Sequence, residues 1–481
     1  MISLLSGNSR VLLTIDESGN WAHLYYPYPG LHQHLLSSRL GFFDQTSKQF
    51  QWVGQAGQSQ TESSYLGGSN VARTNLRLLE LDVTLDDMVH PNLDVVIRRI
   101  TIKNPGATTR RLRVFQYQSL NVEGGLFQGT AYWDEERKTL NHYKRSFYFQ
   151  LRGHPDFDHY SCGEHTLKGL QGSYIDAEDG ALLGSVVSHG AADSVGQWNV
   201  EVPAGTERTL HVFVMAERSR RLVNELHRAL DGKDPTLYVA EAMEYGNHWM
   251  ARHKLASASG LSSQVSEVYD RSIFVMRDCQ ATNGSIIASP DPQTLKWGGD
   301  NYTYNWWRDG AYVSRAMSEV GLHRNAVGFL RFAAKCQEEE GYFVHRHFPD
   351  GSVGSTWHPP PFIQIDQTAS VIDAVQRYYE CSGLLDELMP SWELVRKAAD
   401  FIMTYVDRTG LPKPSYDLWE EKKSINVYTV AMAIRGLRSA ARIGQALGKR
   451  VDYWTEAADR MQNAAIPRFW NVTTNTLYKS L

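Results

Sequence analysis

The chain has 481 residues, and its 49 basic and 53 acidic side chains give a formal net charge of −4 at pH 7. This balance provides no positive field for binding nucleic acid or an anionic membrane surface. No stretch reaches the ~20 apolar residues of a membrane-spanning helix. The length exceeds one ordinary hydrophobic core, so we expect two or three domains.

The cysteines and the N-terminus indicate the cellular compartment. Cys162, Cys279, Cys336 and Cys381 are scattered without the spacing of metal ligands, so we expect free thiols. The N-terminus lacks a basic leader, and the apolar stretch 11–15 is too short for the hydrophobic part of a secretion signal. We therefore expect a cytoplasmic protein.

Residues 1–220 have the alternating pattern of β-strands. Residues 100–103 alternate apolar and polar side chains, Asn104-Pro105-Gly106 supplies a turn, and residues 111–114 alternate again. This pattern predicts a hairpin. The alternation then shifts phase at Phe115 and Tyr117, as a β-bulge would require. Many short strands and turns over this length predict an antiparallel β-sandwich.

The second half of the chain has helical periodicity. Residues 221–260 are charged and helical in composition, with a break at residues 231–235, and they predict a helical linker. From residue 261 to residue 481, apolar residues recur at helical spacing. Two of the predicted buried faces consist of Val265, Val268, Tyr269, Ser272, Met276 and Cys279, and of Val427, Val430, Ile434, Leu437 and Ala441.

An aromatic cluster with an adjacent arginine and aspartate precedes one of these helices. Residues 301–310 read Asn-Tyr-Thr-Tyr-Asn-Trp-Trp-Arg-Asp-Gly. The Arg308 guanidinium and the Asp309 carboxylate can donate to and accept from the hydroxyls of one sugar ring. Tyr304 and Trp307 are the rings that we expect to contact that sugar. The alternative is an ion pair at a helix start, where acidic groups suit the helix dipole.

A second cluster, Ser-Tyr-Asp-Leu-Trp-Glu-Glu at residues 415–421, places three carboxylates and two aromatic rings on one loop. Cleavage of a glycosidic bond needs a carboxylic acid that stays protonated near neutral pH, and neighbouring carboxylates favour that state. The prolines at 412 and 414 stiffen the approach to the loop. The alternative is again a helix start decorated with acidic residues.

The two clusters, in this order and separation, resemble the signatures of glycoside hydrolase family 15, the glucoamylases and their trehalose- and isomaltose-cleaving relatives. The resemblance covers the chain from about residue 262 onward, and it implies a helical (α/α)6 toroid behind an N-terminal β-sandwich. It implies an inverting, metal-free reaction that releases β-glucose from a non-reducing end. By resemblance Glu420 is the general acid, Arg308 and Asp309 hold the terminal glucose, Glu421 contacts it or its neighbour, and Trp419 lines the site.

The resemblance also implies a general base far towards the C-terminus of the catalytic domain. An inverting enzyme separates its two carboxyl groups by roughly 6.5–9.5 Å. We count about seven helix-sized segments after residue 262, whereas the family toroid has twelve helices, so we expect an incomplete toroid whose base lies beyond Leu481. The predicted organisation is a sandwich over 1–220, a helical linker over 221–260 and a truncated catalytic domain over 261–481.

Three further segments are candidates for binding. The loop 351–358 resembles the substrate loop of the family, which suggests Trp357 and Asp366 as contacts; the alternative for Asp366 is helix capping. The aromatic segment 25–31 either contributes to substrate selection or packs in the sandwich. His345 and His347 alternate on one strand face, but no third ligand is near in sequence, so we expect no metal and no cofactor.

These observations favour a glucoamylase-like exo-acting α-glucosidase with a neutral, α-linked gluco-oligosaccharide as its partner. A trehalase or isomaltose-type disaccharide hydrolase is not excluded by the two motifs. An inverting disaccharide phosphorylase shares the predicted architecture, although the Glu420-Glu421 pair favours hydrolysis. A sugar-binding fragment without catalysis is the alternative from a different functional class.

Overall fold

The computed structural model describes residues 2–55, 59–125, 127–165, 172–253, 260, 262–291, 302–354 and 362–481. The chain divides into two compact units. The first comprises Met1–Arg252 with Glu267–Asp278, and the second comprises His253–Ser266 with Cys279–Leu481. The first is built mainly of strands and the second mainly of helices.

The strands of the first unit are β1 Ile2–Gly7, β2 Leu12–Asp16, β3 Trp21–Tyr28, β4 Leu31–Gln33, β5 Leu35–Asp44, β6 Phe50–Trp52, β7 Ser59–Tyr65, β8 Ala72–Leu78, β9 Leu81–Val89, β10 Val95–Lys103, β11 Arg110–Leu120, β12 Gly129–Asp134, β13 Thr139–Lys144, β14 Phe147–His154, β15 His159–Glu164, β16 Val187–Gly190, β17 Ala192–Val202 and β18 Glu207–Glu217. Its helices are the short α1 Gly172–Asp176, then α2 Arg220–Leu230 and α3 Leu237–His253.

Two large antiparallel sheets form the predicted sandwich. One has the strand order β16-β12-β13-β14-β18-β10-β9-β8-β7, and the other has the order β15-β17-β11-β5-β6. Inward side chains of both, such as Ile100 on β10 and Val114 on β11, share one buried apolar cluster. Strands β1 to β4 form a smaller meander. Tyr25 and Tyr26, from the aromatic segment at 25–31, are buried within this unit.

The predicted hairpin between residues 100 and 114 is wrong. Strand β10 pairs with β9 and β18 in the larger sheet, while β11 pairs with β5 and β17 in the other. The turn at residues 104–106 therefore carries the chain from one sheet to the facing sheet. Both arrangements place alternate apolar residues in one core, so alternation alone does not distinguish them.

The predicted bulge at Phe115 is also wrong. The pairing of β11 with β17 runs without a shift from Arg110 to Ser119. The alternation disappears because β11 is covered on both faces: Val114 belongs to the sandwich core, whereas Phe115 and Tyr117 belong to a second cluster on the outer face. A strand buried on both sides carries a continuous apolar run.

Helices α2 and α3 cover the outer face of the larger sheet, and the break predicted between them is present at residues 231–236. Val223 and Leu230 of α2 and Tyr238 of α3 pack with Ile97 and Phe213 of β10 and β18. Ser219 caps α2 by accepting the N–H of Leu222. Most of the segment predicted as a linker, residues 221–252, therefore groups with the first unit.

The helices that follow are α4 Ser263–Asp278, α5 Trp307–Glu319, α6 His323–Cys336, α7 Ile365–Ser382, the short α8 Leu385–Leu388, α9 Trp392–Thr404, α10 Val427–Ala446 and α11 Asp452–Phe469. Short strand pairs accompany them: β19 Asn305–Trp306 with β20 Arg346–His347, β21 Ser415–Tyr416 with β22 Lys423–Ser424, and β23 Trp470–Asn471 with β24 Thr476–Leu477.

The helices of the second unit form two layers. Helices α5, α7 and α10 pack side by side, and α6, α9 and α11 pack against them as a second layer. Because each helix of the first layer is followed by one of the second layer that returns the chain, α5, α7 and α10 begin at the same end of the unit. The loops that carry the predicted site therefore converge there.

The predicted buried face of α4 is only partly correct. Val265 and Val268 are more than half exposed, whereas Ile273 and Phe274 are buried. Arg277 of the same helix is also buried, with its guanidinium 4.9 Å from the centre of the Trp249 ring. Among the described residues, no helix is long and apolar enough to cross a membrane.

Candidate active site

The first turns of α5, α7 and α10 bring the candidate residues together. Arg308 and Asp309 lie in the first turn of α5, Asp366 in that of α7, and Tyr428 in that of α10. The loop carrying Glu420 joins β21 to β22, directly before α10. Three helix N-termini thus meet at one place, where their dipoles favour negative groups.

Trp307 anchors the start of α5. Its side chain has no exposed surface and packs among Phe332, Phe343 and His347. Its backbone N–H, one of the four that a helix start leaves unpaired, donates to the Gln367 side chain at 2.8 Å. The expectation that Trp307 contacts the sugar is therefore wrong in this structure, because its ring is enclosed in the core and fixes the position of Arg308 instead.

Arg308 forms its ion pair with Asp366 rather than with Asp309. Its Nη1 lies 2.7 Å from Oδ2 of Asp366 and donates to Oε1 of Gln364 at 3.1 Å. The Asp366 side chain is fully buried, and that of Arg308 is 13% exposed. The pair fixes the position of the guanidinium and leaves a small part of its surface exposed.

Asp309 lies in the same electrostatic cluster. Burial raises the pKa of its carboxyl, the Arg308 guanidinium opposes that rise, and the carboxylates of Asp366 and Glu420 add to it. Tyr428 faces Arg308 and Asp366 from α10, and its hydroxyl lies 3.2 Å from that of Tyr312. Burial and this hydrogen bond raise the pKa of the Tyr428 phenol, so it stays neutral.

Glu420 occupies a tight turn in the loop between β21 and β22. Its backbone has φ of 61°, a left-handed conformation that is uncommon for residues other than glycine. The turn is closed by Asp417, whose carbonyl accepts the N–H of Glu420 at 3.0 Å and whose carboxylate accepts the N–H of Glu421 at 2.9 Å. Strained backbone held by its surroundings is common at functional sites.

The side chain of Glu420 points inward and meets His345. The distance between Oε1 of Glu420 and Nε2 of His345 is 2.5 Å. The imidazole has no exposed surface, while the carboxyl is 27% exposed. The indole Nε1 of Trp306 also donates to Nε2 of His345, at 3.2 Å.

Gln364 links the two halves of the site. Its Oε1 accepts from Arg308 and from Gln367, while its Nε2 donates to the carbonyl of Asp417 at 3.1 Å and to Oε1 of Glu420 at 3.5 Å. These partners fix the orientation of the amide, since donors lie on its oxygen side and acceptors on its nitrogen side. One buried side chain thus sets the positions of both the arginine and the candidate acid.

The remaining candidates lie elsewhere. Trp419 is 69% exposed on the loop, and Glu421 points to Lys479, whose Nζ lies 2.7 Å from its carboxylate. Tyr304 is buried beneath Arg346, whose guanidinium lies 4.3 Å from the ring centre. Trp357 lies outside the described residues.

Sequence reasoning missed His345, Gln364 and Tyr428 as parts of the site. His345 was considered only as a metal ligand, and the described residues contain no group of three or more potential ligands. Gln364 immediately precedes the first residue of α7 and lies two positions before Asp366. Tyr428 is the second residue of α10, the helix that follows the acidic loop. A helix start next to a candidate acid is the signal that could have indicated them.

Comparison with known proteins identifies the family. The sequence signature described as "Glycosyl hydrolases family 15" matches residues 350–479, a range that contains both Asp366 and Glu420. Residues 350–479 thus carry the signature of glycoside hydrolase family 15. The resemblance seen in the two motifs is thereby confirmed, and the match supports a glycosidase-like enzyme.

The related proteins differ in how much of this chain their alignments cover. An uncharacterized glycosyl hydrolase of Methanocaldococcus jannaschii is 24% identical, and the alignment covers 99% of this chain and 75% of the relative. A trehalase of Thermoplasma acidophilum is 23% identical over 53% of this chain and 46% of its own length. Glucoamylase-1 of Schizophyllum commune is 26% identical over 40% of this chain and 34% of its own length.

Solved structures confirm the predicted fold, a β-sandwich followed by a toroid-type helical region. A bacterial glucoamylase complexed with acarbose matches with a TM-score of 0.77 at 16% identity, over 97% of this chain and 66% of that one. A protein provisionally assigned as a kojibiose phosphorylase matches with a TM-score of 0.59 at 10% identity, over 99% of this chain and 69% of that one. The chain thus spans about two thirds of the length of these two structures.

Proposed function

We propose that this protein is an inverting, exo-acting α-glucosidase of the glucoamylase type that releases β-glucose from the non-reducing ends of α-linked gluco-oligosaccharides. The observation that carries the proposal is the convergence of Glu420 with Arg308 and Asp366 through Gln364, at the end of the unit where α5, α7 and α10 begin. A carboxyl group beside a partly exposed guanidinium and buried carboxylates suits an acid-catalysed reaction on a polyhydroxylated neutral ligand.

In this proposal Glu420 is the general acid. Its proton passes to the glycosidic oxygen as the bond from that oxygen to the anomeric carbon breaks, which leaves Glu420 as a carboxylate. Arg308 and Asp309 hold hydroxyls of the terminal glucose, and Asp366 keeps the guanidinium in place. A water molecule attacks the opposite face of the ring, and the position of the base that activates it stays a prediction.

An assay of sugar release also tests two other activities, cleavage of trehalose and phosphorolysis. The trehalase relative motivates trehalose as a substrate, and the phosphorylase-like structure motivates an assay with inorganic phosphate. Sugar release that requires phosphate, and that yields a sugar phosphate, would replace hydrolysis by phosphorolysis. Cleavage of trehalose without cleavage of maltose would move the assignment to a trehalase.

The Glu420→Gln variant tests the role of the acid. Gln keeps the size and the hydrogen-bonding reach of Glu but has no proton to donate, so hydrolysis of maltose should fall by about 10²–10⁴-fold. Hydrolysis of α-glucosyl fluoride, whose leaving group needs no proton, should be largely kept. The measurement is kcat/KM on both substrates, with the anomer of the released glucose followed by NMR.

Glu421→Gln is the matched control, since Glu421 is the adjacent carboxylate and is exposed on the same loop. Glu421→Gln should change kcat/KM for maltose and kcat/KM for α-glucosyl fluoride by the same factor, with no selective loss on maltose. A selective loss at Glu421 instead would move the acid to that residue. Binding of maltose with no release of glucose, in a protein that carries the predicted base, would leave a sugar-binding protein and reject the proposal.

A further inference from the structure

We propose that His345 is a positioning residue that keeps Glu420 protonated by accepting its carboxyl proton at Nε2, a role that rests on the proposed function of Glu420. The first observation is the arrangement of donors around Nε2. The indole N–H of Trp306 can only donate, and its nitrogen lies 3.2 Å from Nε2. A donor aimed at Nε2 favours the tautomer in which this nitrogen carries a lone pair, so the proposal places the ring proton on Nδ1.

The second observation is the contact of the same nitrogen with Glu420. Nε2 lies 2.5 Å from Oε1 of Glu420, a distance at which one proton must lie between the two atoms. In the proposed tautomer Nε2 carries none, so its lone pair is shared between the indole N–H and the carboxyl O–H, and Glu420 is the donor. This is the protonation state that a general acid needs before the reaction begins.

The surroundings of the pair favour the same state. The His345 side chain is fully buried and the Glu420 carboxyl is mostly buried, so separating charge between the two groups would cost the desolvation of both. The charged groups that face Glu420 include Asp309, whose carboxylate interacts with it electrostatically, and that negative charge disfavours a second carboxylate nearby. Arg308 is turned towards Asp366 and Gln364, so its ion pair is made with a different carboxylate.

The sequence of events follows from this geometry. In the free protein the Glu420 hydroxyl donates to His345. When a glycoside enters, its bridging oxygen replaces Nε2 as the acceptor, the proton moves to that oxygen, and the electrons of the breaking carbon–oxygen bond stay on the leaving oxygen. His345 remains neutral throughout, and Glu420 regains its proton from solvent after the product leaves.

The chain supplies a matched control in His347. This residue lies on β20, two positions after His345, is equally buried, and accepts the indole N–H of Trp307 at 3.2 Å, as His345 accepts that of Trp306. Burial lowers its pKa to about 4, so it is also neutral. His347→Phe and His345→Phe each remove one buried indole–imidazole bond, but only His345→Phe removes the partner of Glu420.

The first experiment reads the proton directly and needs no turnover. The infrared spectrum of wild type minus that of Glu420→Gln, at pH 7, should show a carboxylic acid band of Glu420. The band should disappear in His345→Phe and remain in His347→Phe. A band that is absent from the wild type, or that is unchanged in His345→Phe, would overturn the proposal.

The second experiment separates this role from a structural one. His345→Phe should lower kcat/KM for maltose by about ten-fold or more while keeping that for α-glucosyl fluoride within about three-fold. His345→Gln, whose amide oxygen can still accept from Glu420, should recover part of the loss. His347→Phe should lower the melting temperature as His345→Phe does. It should change kcat/KM for maltose and for α-glucosyl fluoride by the same factor.

The outcomes distinguish this proposal from the one on which it rests. If Glu420→Gln fails to separate maltose from the fluoride, the assignment of Glu420 as the acid is wrong. If Glu420→Gln separates them and His345→Phe affects both alike, only the role of His345 is wrong.

Discussion

Arg308 and Asp309 are neighbours in the sequence, yet the ion pair of Arg308 is made across two helices. Successive residues on a helix point roughly 100° apart and do not face each other. Asp366 is presented by the first turn of α7, where its fully buried carboxylate reaches Nη1 of Arg308. The pairing expected from adjacency is therefore replaced by one that depends on the packing of α5 against α7.

A double-mutant cycle measures this pairing. Arg308→Ala leaves Asp366 buried without its charge partner, and we expect the free energy of unfolding of the helical unit to fall by about 2–5 kcal/mol. Adding Asp366→Asn should restore part of that loss, since the amide carries no charge. The measurement is urea unfolding followed by helical circular dichroism. Stronger coupling of Arg308 to Asp309 than to Asp366 would contradict the structure.

The aromatic residues show what the sequence could not resolve at this scale. Tyr, Trp and Phe serve equally for packing in a core and for stacking on a sugar. Trp307 shares the buried face of α5 with Ala311, Ser314 and Met317, a helical spacing that indicates packing. Arg308, Asp366 and Glu420 could be selected from the motifs, whereas His345 and Gln364 depend on tertiary contacts between distant segments.

At the scale of elements, Asp373 joins three helices. This residue of α7 has a buried carboxylate that lies 2.8 Å from Nη1 of Arg315 on α5 and 2.6 Å from Nε of Arg435 on α10. The hydroxyl of Ser439 on α10 donates to it as well. One carboxylate thus neutralises two guanidiniums where α5, α7 and α10 pack side by side.

Removing this carboxylate should destabilise the packing of α5, α7 and α10. In Asp373→Ala the two arginines lose their shared partner and repel each other, but both are partly exposed and can be hydrated. We therefore expect a loss of about 1–3 kcal/mol in the free energy of unfolding, below the cost of an unpaired charge that stays fully buried. The measurement is urea unfolding of the purified protein.

Glu393→Ala is the control for Asp373→Ala. Glu393 forms an ion pair with Arg396 on the surface of α9, where both partners are well exposed, so its removal should cost less than about 1 kcal/mol. Equal losses for the two variants would mean that Asp373 contributes no more than a surface pair.

The strands and helices were predictable to different degrees. Helix α10 buries Val430, Leu437 and Ala441 of its predicted face, whereas Val427 and Ile434 are only partly buried. The helical spacing of its apolar residues was enough to indicate most of that face. For β11, burial on both sides hid the alternation, and for α4 the apolar residues Val265 and Val268 are exposed. Sequence patterns report which residues are apolar, but which element covers them is decided by tertiary structure.

At the scale of the whole molecule, the fold class was predictable because strands and helices are segregated along the chain. The order of strands in the two sheets was not, since it depends on long-range pairing such as that of β10 with β18. In the second unit, the alternation of helices between two layers brings residues 308, 366 and 420 together. The site is therefore a consequence of topology, which neither motif alone contains.

The sandwich should be sensitive to acid because it buries neutral histidines. Burial lowers the pKa of His34 and that of His142 to about 3. His34 accepts the backbone N–H of Glu123 at Nδ1 and donates from Nε2 to the carbonyl of Tyr26, so a second proton would break the first of these bonds. His142 lies 2.8 Å from the Ser194 hydroxyl inside the core.

The direction of the effect follows from the two states of each histidine. Unfolded, each has an ordinary pKa near 6.5, whereas folded it binds no proton until about pH 3. Above about pH 6.5 the two histidines are neutral in both states and do not lower the free energy of unfolding. Below that pH the unfolded state binds more protons than the folded state, so the free energy of unfolding falls. Relative to neutral pH, protonation of each histidine in the unfolded state should lower the free energy of unfolding at pH 5 by about 2 kcal/mol.

Hydrogen exchange of the amides in β13 and β14, expressed as protection factors at pH 7 and pH 5, measures this loss in the sandwich itself. His142→Gln should lower protection at pH 7, since a buried contact is lost, but the further decrease between pH 7 and pH 5 should shrink by about 2 kcal/mol because one titrating group is gone. His159→Gln, at an exposed position of the same unit, should leave the decrease as it is. If His142→Gln and the wild type lost protection in parallel between the two pH values, acid sensitivity would have to come from other groups, and the neutral state of His142 would not contribute to the stability of the sandwich.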